Sequence, residues 1–228
     1  SRRSALLLLP AVFIYQDLEF SFVKDINTKY YNSNDQKSFL VKTGTNTVNK
    51  TFPGAAIYYL PGFLIAHGTA CLFGLDADGY STIYQVVFDV FYWVYLFLAL
   101  LYLHKVLALL KFKTQHINFV VIAMTLGTNI FFYTVFNQSI THIFNFFTIN
   151  AIVYFLLRYS QNDGIKHLLL ALPLLALLGI TRPTNILVLL LIPVFIELKP
   201  LLSRLLNDLK SIKRLIAFIL PSLLILSI

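Results

Sequence analysis

Of the 228 residues, 58% are hydrophobic and only 12% are charged, whereas a soluble domain carries roughly 25% charged residues. That balance excludes a water-soluble globule, a disordered chain and a nucleic-acid-binding domain, and it predicts an all-α, polytopic membrane protein. The formal net charge of +8 gains meaning only from where the charges sit. The single cysteine, Cys71, allows no intramolecular disulfide and no Cys-based metal site.

The chain opens on Ser1-Arg2-Arg3 and stops inside the apolar run Leu220 to Ile228, so it is expected to be a piece of a longer membrane protein, truncated at both ends. Ala5 to Tyr15 is apolar, but its 11 residues are too few to cross ~30 Å of hydrocarbon, and no small-residue cleavage site follows. Asp17 and Glu19 come next; on a strand they would share a face, and on a helix they would diverge. Either can act as a general base toward a hydroxyl or simply end a solvated turn. Residues 16–53 read as polar loop. Lys50 stands before Phe52-Pro53-Gly54, placed to meet a diphosphate or lipid headgroups. The apolar stretch 54–68 is interrupted by Pro61 and Gly62 and carries the amphipathic pair Tyr58-Tyr59; a helix lying in the interface is preferred over a span. Asp76-Ala77-Asp78 precedes Gly79 in a turn-rich linker. The two carboxylates are weak candidates for a divalent metal, against ordinary turn chemistry, and no metal site is assigned.

Six apolar stretches then read as transmembrane helices, over residues 83–105, 117–136, 140–157, 168–181, 185–198 and 215–228. The fourth and fifth are divided at Thr181-Arg182-Pro183-Thr184-Asn185, and charge placement decides whether the division is a hairpin or a kink. With a hairpin, the loops at 105–116, 158–167 and 199–214 share one side and hold ten basic residues, while the opposite short loops hold only Arg182. Short loops rich in Lys and Arg lie on the cytoplasmic side, so the hairpin is predicted. Residues 1–82 then form an outer segment, and residues 83–228 a helical bundle in the cell (inner) membrane. Arms of about 14 residues span only ~21 Å, which leaves Arg182 below the outer surface, where irregular backbone must be sheltered by protein or a wet vestibule.

Arg182 is the foremost candidate for chemistry. A guanidinium at membrane depth costs about 2.5–3.5 kcal/mol on insertion scales. Next to a helix starting near Asn185, it can hold a phosphate or merely snorkel. His142 follows the polar run Asn137 to Thr141, with Asn145 one turn on; such a cluster serves a site or glues helices together. Asp89, one to two turns into the first span, is either a functional acid or a partner within the bundle.

Taken together, Lys50-Thr51-Phe52-Pro53-Gly54, the Gly74 to Tyr84 lead into a span, Ser139-Ile140-Thr141-His142 opening another, and Gly179-Ile180-Thr181-Arg182-Pro183-Thr184-Asn185 dividing a hairpin resemble the membrane glycosyltransferases of the GT-C fold. These include protein mannosyltransferases and lipid A aminoarabinose transferases. The resemblance implies transfer of a sugar from a polyprenyl-phosphate carrier to an acceptor on the outer face, with the lipid-linked sugar as substrate and membrane lipid as partner. It implies no cofactor, although a divalent metal would be compatible. By the same likeness, Lys50 and Arg182 face the carrier phosphate; His142 and Asn185 join them as substrate-binding candidates from their own positions in the sequence. An outer-loop acid serves as base, for which this chain offers Asp17 and Glu19. The rival reading is a transporter or flippase for an anionic lipid or solute, since short broken helices around a cation also suit a transport site. A non-catalytic membrane scaffold is the third.

Overall fold

The computed structural model describes residues 7–30, 40–43, 46–49, 52–136, 141–161 and 164–209. Among these the chain is helical apart from one small hairpin, in which Leu40–Thr43 (β1) pairs antiparallel with Asn46–Asn49 (β2), Leu40 opposite Asn49. Two compact units form, one from the described residues up to Trp93 and one from those after it.

In the first unit, Leu8–Pro10 runs into a wide π-type turn, Ala11–Tyr15, which Gln16 closes in the left-handed region at φ 49°. Phe20, Phe22 and the first helix, α1 (Val23–Tyr30), bury their apolar side chains with Leu7, Ala11 and Tyr80. The helix α2 (Gly54–Leu72) then runs 19 residues without a break. This corrects the expectation of a break at Pro61-Gly62. Proline removes one backbone donor, but unwinding an apolar segment would expose the backbone groups of every neighbour as well. Gly62 instead provides a close approach: a Cβ there would meet the Phe91 ring at 3.2 Å. Tyr58 and Tyr59, expected at an interface, are each only 2% exposed, and Tyr59 meets Phe88 edge-on at 5.3 Å. By length and composition α2 can cross a membrane, as can the 28-residue α3 (Thr82–Leu109).

The second unit takes up α3 from Val94. The apolar stretch expected as a span over 117–136 is not one straight helix but two, α4 (Thr114–Leu126) and α5 (Asn129–Val135), bent by 56°. The corner is local chemistry. The Thr128 hydroxyl donates to the Met124 carbonyl at 2.6 Å and accepts from the Ile130 N–H at 3.3 Å, so it finishes one helix while capping the next. A Cβ at Gly127 would lie 2.7 Å from the Ala123 carbonyl oxygen, which reserves that corner for glycine.

Next come α6 (His142–Ser160), the third helix able to cross a membrane, and α7 (Lys166–Thr181). They pack together around Ile152, Leu156, Leu168, Ala171 and Leu178. After Arg182 the chain turns back on α7, with Ile186 against Gly179 and Val188 against the core. The hairpin at 181–185 is therefore present. Its second arm, however, is a 3-10 helix, Pro183–Leu191, ending in one α-turn, Ile192–Phe195, rather than an α-helix over 185–198. Pro193 removes the backbone donor that an α-helix through this arm would direct to Leu189, which weakens α-type bonding there. The last described helix, α8 (Leu198–Leu209), leaves that arm at 113°. The described residues thus offer three membrane-length helices, or five if each bent pair makes one span. The sixth expected span, 215–228, lies outside them.

Overpacking a tight helix contact costs about 1–3 kcal/mol. Gly62→Leu should therefore lower the melting temperature of the detergent-solubilised protein, whereas Gly68→Leu, where nothing lies within 4 Å of the added Cβ, should not. Equal melting of the two variants would refute the Gly62–Phe91 contact.

Candidate functional site

Each unit carries a group of charged and polar side chains in which the candidate chemistry lies. In the first unit Asp17 lies in a turn, neither strand nor helix. Its carboxylate accepts the Glu19 N–H at 2.8 Å, the Ser21 N–H at 2.7 Å and the Ser21 hydroxyl at 2.5 Å. The Ser21 hydroxyl, helped by the backbone donors, holds Asp17 below the ordinary carboxylate range, which makes it a weak base. The neighbouring Glu19 is exposed.

Asp76 and Asp78 converge on an ammonium. Lys29 Nζ stands 2.9 Å from a carboxylate oxygen of each, and the Tyr30 hydroxyl donates to Asp78 at 2.5 Å. The other oxygen of Asp78 receives the Tyr80 and Ser81 N–H groups at 2.9 and 3.0 Å, at the entrance to α3. Lysine thus occupies the position a divalent cation would need, and among the described residues no group of three or more His, Cys, Asp or Glu side chains could hold a metal ion. Burial alone would raise Asp78, but bonds from Tyr30, Lys29, Tyr80 and Ser81 outweigh it and bring the carboxyl below its ordinary 3.8. Bonds to Asp76 and Asp78 raise Lys29 above 10.5, and burial, with the bond to Asp78, pushes Tyr30 up to about 12.

In the second unit Arg182 ends α7 in extended conformation and is exposed. Its N–H still reaches the Leu178 carbonyl at 3.1 Å, and its own carbonyl accepts the Asn185 N–H at 2.9 Å. Among the described residues its guanidinium makes no hydrogen bond or ion pair. It is close enough for its charge to act on His142, whose ring lies 4.8 Å from that of Tyr133 on α5. The same end of the α6–α7 pair carries buried polar atoms without partners: Thr141 Oγ1 and Asn145 Oδ1 on α6, and Asn185 Nδ2 after the hairpin turn. Each such group costs about 1–3 kcal/mol if nothing meets it. The N-terminus of α6 adds its positive pole here. A guanidinium, an imidazole and an amide N–H₂ suit an anion, while Asn145 Oδ1 and Thr141 Oγ1 suit hydroxyl donors.

Arg182, His142 and Asn185 therefore gather at one end of one unit, whereas Asp17 and Glu19 belong to the other. Lys50 lies outside the described residues, as do Asn137 to Ile140. Asp89 is half-buried in α3. Thr141 was visible in the sequence as part of the polar run before His142, whereas Tyr133 was not, because it resembles an ordinary residue of an apolar helix. The sequence reading also missed His67 on α2, whose Nδ1 lies 2.6 Å from the Tyr84 hydroxyl and whose Nε2 lies 3.9 Å from Cys71 Sγ; the four-residue spacing of His67 and Cys71 was the available signal.

A carboxylate depressed in the folded state stabilises fully above its unfolded value and loses that contribution as pH falls through its folded value. In melting curves the advantage of wild type over Asp78→Asn should hold at about pH 6 and shrink progressively below about pH 4. An advantage independent of pH would show that the Lys29 clamp contributes nothing through Asp78. No protein-family model, curated protein or solved structure matches this chain.

Proposed function

We propose that this chain is an integral membrane glycosyltransferase of the outer face of the cell membrane, which moves a sugar from a polyprenyl-phosphate carrier to an acceptor hydroxyl. The observation that carries the reading is the exposed Arg182 at the turn of an apolar hairpin, unpaired among the described residues, with His142 and the Asn185 amide, likewise without a partner among them, at the same end. An uncompensated guanidinium among apolar helices calls for an anion, and a lipid phosphate brings one to membrane depth. The partnerless oxygens of Asn145 and Thr141 are matched to the hydroxyls of the attached sugar.

In this mechanism a carboxylate accepts the proton of the acceptor hydroxyl, whose oxygen bonds to the anomeric carbon. The bond from that carbon to the phosphate oxygen breaks, and the electron pair leaves on the phosphate. Arg182 and Lys50 neutralise the developing charge. Of the two acids in the first unit, Glu19 is the better base, because the Asp17 carboxylate is already committed to Glu19 and Ser21 donors. The two bent helix pairs favour a second reading, a transporter or flippase for an anionic lipid, which uses the same phosphate contact without cleaving it.

The test is transfer from a radiolabelled lipid-linked sugar by the full-length protein in proteoliposomes. Arg182→Ala should lower turnover by about 10²–10³-fold, the usual cost of one preorganised charge contact, and Glu19→Gln should lower it more than Asp17→Asn. Full transfer in both Arg182→Ala and Lys50→Ala would overturn the phosphate assignment. Carrier movement across the bilayer with the sugar still attached would favour the transport reading.

A further inference from the structure

α8 (Leu198–Leu209) is built differently from the helices before it. Its 12 residues reach about 18 Å, too short to cross a membrane, and it departs at 113° from the preceding arm. At 100° per residue, Leu201, Leu205, Leu198, Leu202 and Leu206 fall on one arc of about 140°, with Ser203 and Asn207 opposite. Half of that arc is covered: Leu201 is buried in the α6–α7 core and Leu205 packs against it. The rotation of the helix is locked by polar contacts to α6. The Tyr159 hydroxyl donates to Asp208 at 2.6 Å, and Arg204 bonds the Tyr159 carbonyl while lying 4.3 Å over its ring. The other half of the arc is open, with Leu198, Leu202 and Leu206 exposed by 43, 52 and 62%.

We propose that this open leucine stripe is seated in an anionic lipid surface, so that α8 lies in the membrane plane as an interfacial anchor. The charges select the occupant. Exposed Lys199 stands beside Leu206 on the helix circumference, where its stem can lie along apolar surface while its ammonium reaches phosphate. The one acid of α8, Asp208, is buried against Tyr159. Lys210, Lys213 and Arg214 follow in the sequence. A second copy of this surface would bring Lys199 against its own kind, whereas anionic headgroups meet it with opposite charge.

The test places single cysteines at Leu202, Leu206 and Asn207 in a Cys71→Ser background and labels each with an environment-sensitive fluorophore. The full-length protein is reconstituted in vesicles of 70% phosphatidylcholine and 30% phosphatidylglycerol. Quenching by lipid carrying a nitroxide at carbon 5 should be at least threefold stronger at Leu202→Cys and Leu206→Cys than at Asn207→Cys, and aqueous iodide should show the reverse order. Replacing phosphatidylglycerol by phosphatidylcholine should at least halve the lipid quenching at 206. Equal lipid quenching at 206 and 207 would overturn the proposal, and so would protection of 206 from both quenchers, the mark of a covering protein. Quenching indifferent to phosphatidylglycerol would overturn its anionic part.

Discussion

Where water is excluded, a backbone N–H, a hydroxyl or a charge without a partner costs several kcal/mol, and the helices of this chain are shaped by that penalty. Five threonines show the usual solution. Thr69, Thr125, Thr134, Thr148 and Thr181 each return the hydroxyl to the carbonyl four residues earlier, at 2.7 to 2.8 Å. Their polarity is spent inside the helix that carries them. Thr141, Asn145 and Asn185 break that pattern at the end where Arg182 and His142 meet. Buried polar atoms without a partner call for a physical explanation, and these three lie at the end of α6 and α7 that carries a guanidinium and an imidazole.

The same penalty decides what was legible in the sequence. Apolar runs divided at Thr181-Arg182-Pro183-Thr184-Asn185 left a hairpin and a kink open, and the placement of the ten loop cations decided for the hairpin. The third span, expected over 140–157, is α6 over His142–Ser160. The Gly127-Thr128 corner was not legible, since glycine and threonine are both tolerated inside membrane helices and the surrounding apolar run is unbroken. Pro61 misled in the opposite direction: it reads as a breaker, yet the helix runs through it. Composition also could not reveal that Tyr58 and Tyr59 turn inward, because a tyrosine pair suits an interface and a packed core equally well.

For the candidate site, residue type was informative and environment was not. Arg182, His142 and Asn185 stood out as polar groups in apolar surroundings. Asp17 and Glu19 looked equivalent on the page, two acids separated by a leucine. Their difference arises four residues away, where Ser21 supplies two donors to Asp17. The Asp76–Asp78 spacing was likewise silent about Lys29, which lies 49 residues from Asp78 in the sequence and meets it only once the first unit folds.

The tightly wound arm after Arg182 settles a question of reach. A 3-10 helix rises about 2.0 Å per residue against 1.5 Å for an α-helix. Pro183–Phe195, mostly wound that way, therefore extends about 24 Å, the same as the 16 residues of α7. Thirteen residues thus keep pace with sixteen. Ordinary α winding throughout would stop this arm about 4 Å early, and Ile196, buried in the core beside Leu201, would fall short of its place.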